Sequence, residues 1–138
     1  MDVKINGSEA IVCAFLKAIN TQDVDGMTAL LAPGHRMIDS LGGVVEGREK
    51  IGECWKGYFR MVPDYSVDVE ETFVNGSAVV ILGVAQGTFT FDGVLHPENR
   101  WHTTLEVRAS VEERLIAEWR IFADNEPMRR LMAGRQNA

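Results

Sequence analysis

Apolar residues recur at helical spacing in three stretches of the first half of the chain and alternate with polar residues through most of the second half. Ser8 can cap a first helix whose apolar face is Ile11, Val12, Phe15, Leu16 and Ile19. Asn20, Thr21 and Gln22 break it. Asp23 then caps a short helix carrying Met27, Leu30 and Leu31, which Pro33-Gly34 ends. His35 to Asp39 reads as a short strand, and Gly42-Gly43 as a loop. After Gly47 a third helix runs to about Val62, with Ile51, Trp55, Phe59 and Val62 on one face, and Pro63-Asp64 stops it. Tyr65, Val67, Val69 and Phe73 then alternate with Ser66, Asp68, Glu70 and Thr72, the period of a half-buried strand. Asn75-Gly76 signals a hairpin into a long strand from Ser77 to Phe91. Asp92-Gly93 turns the chain toward a strand from about Arg100 to Ala109. The acidic turn at Glu112-Glu113 leads to a last strand, Ile116 to Ala123, and Asn125 to Met132 suits a short helix.

The order is helix, helix, strand, helix, then four strands. Strands joined by hairpins pair antiparallel, and helices gathered at one end of the chain cover one face of the resulting sheet. A single α+β domain over residues 1–138 follows. The long strand carries a further message. Val79, Ile81, Gly83 and Ala85 lie on one face, and Val80, Leu82 and Val84 on the other. Both faces are apolar while the helices cover only one, so the second face is expected to meet another copy of the chain, giving a homodimer.

Charge and chemistry narrow the picture. The net charge of -6 disfavours nucleic acid, whose binding needs a basic face, and anionic membranes alike. No apolar run approaches the roughly 20 residues that span a bilayer, and the N-terminal residues lack a leader pattern, so a cytoplasmic location is expected. Cys13 and Cys54 stand in helical segments outside any CxxC and read as buried free thiols. His35 reads as a strand-start surface residue, His96 as solvated loop, and His102 as facing away from the interior. With no HxH, HExxH, P-loop or GxGxxG, neither a metal nor a nucleotide cofactor is expected.

The stretch FLKAINTQDVDGMTALLA, Phe15 to Ala32, resembles the opening helical pair of ketosteroid isomerase and its relatives. The strand ending at Asp39, followed by Gly47-Arg-Glu-Lys-Ile51, is similar to the same family's strand and helix start. Ile116 to Asp124 (IAEWRIFAD) resembles the last strand of SnoaL-like and limonene epoxide hydrolase-like proteins. The chain is thereby identified as a SnoaL-like, ketosteroid isomerase-like member of the nuclear transport factor 2-like superfamily. The resemblance implies a curved antiparallel sheet, a conical half-barrel, wrapped around the N-terminal helices with an internal apolar pocket. It specifies the reaction poorly, since one fold hosts many chemistries.

Residue by residue, the resemblance places Asp39 where ketosteroid isomerase keeps its general base. The family's oxyanion tyrosine aligns with Phe15, which has no hydroxyl, and a supporting tyrosine aligns with Trp55. Ile121 stands where the epoxide hydrolases have a catalytic aspartate. Asp124 suits a cap for the C-terminal helix. The expected pocket wall comprises Phe15, Met37, Trp55, Phe59, Ile81, Trp101, Thr103, Trp119 and Ile121, with Asp39 a partly desolvated base among them. The implied function is binding of a small, flat, apolar molecule, with isomerase, cyclase or related proton-transfer chemistry on a cyclic ketone, polyketide or terpenoid. The alternative is a non-catalytic ligand-binding or dimerisation module on the same fold. Asp39 also suits a turn role before its glycine-rich loop.

Overall fold

Helix α1 (Gly7–Asn20) buries Val12, Phe15, Leu16 and Ile19 on one stripe, as its 3.6-residue period requires. The computed structural model describes residues 7–136; residues 1–6, on which the leader expectation bears, lie outside the described residues. The side chain of Asn20 ends α1 by acting as an extra strand edge. Its Nδ2 donates to the Val67 carbonyl at 3.0 Å and its Oδ1 accepts from the Val67 amide at 2.8 Å. Asp23 caps α2 (Val24–Ala29) by accepting from the Gly26 amide at 3.0 Å. Helix α3 (Arg48–Met61) buries Ile51, Trp55 and Phe59.

Six strands form one sheet in the order β2-β1-β6-β5-β4-β3. They are β1 (Leu31–Ile38), β2 (Val44–Glu46), β3 (Ser66–Asn75), β4 (Ala78–Thr88), β5 (Arg100–Glu112) and β6 (Leu115–Ala123). Helix α1 packs across β3 to β6 and α3 against β1 and β2, so both lie on one face. The α+β architecture is the expected one, with one parallel pair in an otherwise antiparallel sheet: β1 beside β6. The chain leaves β1 through β2 and α3 before the four-stranded meander begins, and the meander's last strand returns alongside β1 in the same direction. Ile81, Val107 and Ile121 pair across β4, β5 and β6, as do Val79, Ala109 and Trp119. Phe15, Trp55, Phe59, Ile81 and Trp119 share one core, with Ile121 partly buried against it.

Several local expectations are corrected. Strand β1 begins at Leu31, with Pro33 and Gly34 inside it, and its register against β6 shifts between Leu31 and Arg36. Proline donates no ladder hydrogen bond, so the irregularity falls where it stands. The short β2 falls where no strand was expected. Strand β4 stops at Thr88, where Asp64 accepts from the Thr88 amide and hydroxyl, both at 2.7 Å. In β3 the alternation breaks between Val69 and Glu71, which turns Phe73 outward; Val69, ahead of the break, is exposed as well. Such a bulge adds one residue and reverses the faces beyond it. Gly83 lies opposite, where any Cβ would collide with the Asp68 carbonyl. His35 is buried rather than at the surface, its Nδ1–H donating to the Ile116 carbonyl at 2.6 Å. Both cysteines are exposed rather than buried. Asp124 does accept from the Glu126 amide, at 3.0 Å, at the start of α4 (Glu126–Gln136).

Candidate functional site

Between α3 and the concave face lies a cavity of about 260 Å³. Its sheet side is built from Met37 of β1, Ala85 of β4, Trp101, Thr103 and Leu105 of β5, and Ile121 and Ala123 of β6. Period two explains the set, because 101, 103 and 105 project to the same face as 121 and 123. The small side chains of Ala85 and Ala123 leave the space that larger residues would fill. Helix α3 supplies Cys54, Trp55 and Tyr58, and Tyr65 stands just before β3. Asp39, Ser40 and Asn125 complete the rim, where the Asn125 amide donates to the Ser40 hydroxyl at 3.0 Å. A wider hollow, about 760 Å³, lies between the Phe89–Asn99 loop and α4. Its lining has two phenylalanines and charged residues such as Glu98 and Arg130, and it lacks the ring of buried aromatics that marks the first cavity.

Four rings form one wall. Tyr65 meets Tyr58 edge-on with centroids 5.1 Å apart, Trp55 at 6.3 Å and Trp101 at 6.2 Å. Burial pushes the hydroxyls of Tyr58 and Tyr65 well above the ordinary phenol range, with Tyr58 adding to the effect on Tyr65. Both are therefore neutral donors at any physiological pH. Trp101 is 8 % exposed, and its Nε1–H is buried without a hydrogen-bond partner among the described residues. Leaving such a donor unpaired costs about 1–3 kcal/mol.

Among the described residues Asp39 is the only carboxylate in the lining, and no Lys, Arg or His joins it. Asp39 is exposed rather than partly desolvated, because it stands at the end of its strand where the chain turns into an exposed loop. Oδ1 accepts from the amides of Leu41 and Gly43, both at 2.9 Å, in the manner of an Asx turn. Oδ2 accepts no hydrogen bond from the described residues. Among the described residues, no three His, Cys, Asp or Glu side chains gather to hold a metal ion.

The SnoaL-like domain model matches residues 12–130. The chain belongs to the SnoaL-like family. Solved structures agree on the fold of this SnoaL-like protein. A SnoaL-like polyketide cyclase candidate from Jannaschia sp. CCS1 is 21 % identical, with a TM-score of 0.81 and 96 % of each chain covered. An epoxide hydrolase of M. tuberculosis, like limonene epoxide hydrolase, is 18 % identical with a TM-score of 0.75, over 92 % of this chain and 85 % of its own. A protein of ketosteroid isomerase-like fold from Catenulispora acidiphila DSM 44928, in complex with trimethylamine, is 19 % identical with a TM-score of 0.69, over 80 % of this chain and 82 % of its own. No curated protein matches the sequence.

The SnoaL-like cavity draws together Asp39, Met37, Trp55, Trp101, Thr103 and Ile121 of the residues singled out from sequence. Phe15, Phe59, Ile81 and Trp119 lie outside its lining, in the packed core. Phe15 lies against Trp119 with centroids 4.8 Å apart, so α1 seals the narrow end of the cone. Tyr58 and Tyr65 were not foreseen as wall residues. Tyr58 stands three residues after Trp55, one helical turn along the same face, which is a readable signal. Ser40, Ala85, Ala123 and Asn125 come from distant segments and carry no such mark. Arg100 stays outside, at 3.1 Å from the Gln86 side chain and 3.7 Å from Asp64.

Proposed function

We propose that this SnoaL-like protein binds a small, flat, uncharged and largely apolar molecule, a cyclic ketone, polyketide or terpenoid, between α3 and the sheet. On this reading Asp39 at the rim is the general base for proton transfer on that molecule. The observation that carries the reading is the lining itself: four aromatic rings, small apolar residues and one carboxylate, with no cationic side chain to hold an anion. The trimethylamine complex of the Catenulispora protein supports small-molecule binding by the fold. Deuterium exchange of the hydrogens beside the carbonyl of 1-tetralone, followed by NMR in D2O, tests the chemistry. The protein should accelerate it, and Asp39→Asn should remove about 10²–10⁴-fold of the acceleration. An Asp39→Asn variant as fast as the parent ends the case for Asp39. A second reading, a non-catalytic binding module, is favoured by the two backbone amides that already hold Oδ1; it predicts binding of tetralone with no exchange.

The outer face of the sheet supports a homodimer. Val80, Leu82 and Val84 lie there half-buried, with exposed Phe73 paired opposite Val80, on the face away from α1 and α3. Light scattering at micromolar concentration should give twice the chain mass, and Leu82→Glu, which would set a third carboxylate between its cross-strand neighbours Glu71 and Glu106, should halve it. A monomeric parent protein overturns this assembly.

A further inference from the structure

We propose that Cys54 is a covalent capture site for an α,β-unsaturated ketone held in the cavity, its thiol adding to the β-carbon while the Tyr65 hydroxyl holds the carbonyl oxygen. The proposal rests on the pocket reading above and narrows its ligand to a conjugated ketone. Cys54 brings the one thiol in the lining among the described residues. It stands one helical turn before Tyr58 on α3, so the two share the stripe that borders the cavity. It is exposed, which leaves its sulfur open to attack a bound molecule. Tyr65 points to a ligand independently. It is only 9 % exposed, lines the same cavity, and its hydroxyl makes no hydrogen bond among the described residues. Unlike the Trp101 Nε1–H, that hydroxyl is not sealed away, so it opens onto the space its ring borders. Tyr58 and Thr103 add two further hydroxyls without a partner among the described residues, but both residues are less buried. The deepest donor gains most from a neutral acceptor, because it has least water to fall back on. Ser40 and Asn125 are paired with each other at the rim. A thiol and a hydroxyl donor in one apolar cavity match the two ends of an enone: the sulfur its electrophilic β-carbon, the hydroxyl the oxygen on which charge develops. The step is balanced within the pair. A sulfur–carbon bond forms, the C=C electron pair moves through the enolate, and the proton lost by the thiol ends on the α-carbon. The product is a thioether of a saturated ketone, with no oxidant, reductant or leaving group.

The experiment sets 2-methylidene-1-tetralone, an enone on the 1-tetralone skeleton, against iodoacetamide, a thiol reagent with no ring to seat in the cavity. Cys13 on α1, exposed but outside the lining, is the internal control. Peptide mass spectrometry gives the initial labelling rate at each cysteine. The ratio of Cys54 to Cys13 labelling should be at least about 10-fold higher with the enone than with iodoacetamide, the effect of holding the reactants together. Excess 1-tetralone should abolish that preference and leave Cys13 labelling unchanged. In Tyr65→Phe the enone rate at Cys54 should fall about 3- to 10-fold, the worth of one net hydrogen bond, with the iodoacetamide rate unaltered. The preference and its suppression are read on the parent protein, so they decide even if Tyr65→Phe does not fold. Saturation-transfer NMR on 1-tetralone reports separately whether the protein takes the ligand. If tetralone binds and the enone shows no preference for Cys54, the capture site is wrong while the pocket stands. If tetralone does not bind and the enone shows no preference, the pocket reading falls and the capture site falls with it.

Discussion

The two ends of the concave face are lined with the same kinds of residue and behave differently. At the narrow end Phe15, Ile81 and Trp119 are sealed beneath α1, each 2 % exposed or less. At the wide end Trp55, Tyr58, Tyr65 and Trp101 stand around empty space. What differs is the partner. Helix α1 crosses β3 to β6 and fills the first region, whereas Ala85 and Ala123 face α3 across the second without reaching it. Aromatic composition by itself therefore does not separate core from binding wall. The separation depends on which helix covers which part of the sheet.

The largest effect expected from this contrast is on stability. Phe15→Ala removes a sealed ring and should cost about 3–5 kcal/mol in urea unfolding. Tyr58→Phe, at the open wall, should cost less than about 1 kcal/mol. Equal losses would mean that the wide end is as tightly packed as the narrow one. A sharper form uses two alanines of the same concave face. Ala109 pairs with Trp119 in the sealed end and Ala85 lines the cavity. Ala109→Leu overpacks and should cost about 1–3 kcal/mol. Ala85→Leu has room and should change stability by less than about 1 kcal/mol while abolishing tetralone binding. A binding-competent Ala85→Leu variant would place the ligand elsewhere.

The smallest effect concerns His35, whose burial lowers its pKa below the ordinary value. Its hydrogen bond to Ile116 and the nearby Glu118 charge act in the opposite sense and lose. Between the native pKa and about 6.5 the unfolded chain binds more protons than the folded one. Stability should therefore fall as pH drops through about 6.5 and level off below the native value. Urea titrations at several pH values check this, and His35→Gln should flatten the curve. A curve just as steep in His35→Gln would assign the dependence to other groups.

The helical periods, the hairpin signals and the alternation of β4 and β5 are local properties, and they gave away the α+β class, the inward face of the sheet and the cavity positions of Trp101, Thr103 and Ile121. Residues a few positions apart have their relative directions set by backbone geometry alone. Asp39 could be placed at the mouth because it ends a strand, but its exposure could not, since that depends on the course of the exposed loop that follows it. The burial of His35 follows from the parallel pairing of β1 with β6, a contact between segments 81 residues apart. The outward turn of Phe73 follows from a bulge that pattern reading passes over, because a single inserted residue reverses every face beyond it. Sequence by itself determined which residues are apolar and with what period. Only the tertiary structure decided which of them meet a partner and which meet a cavity, since filling space is a property of two surfaces and a single segment carries one.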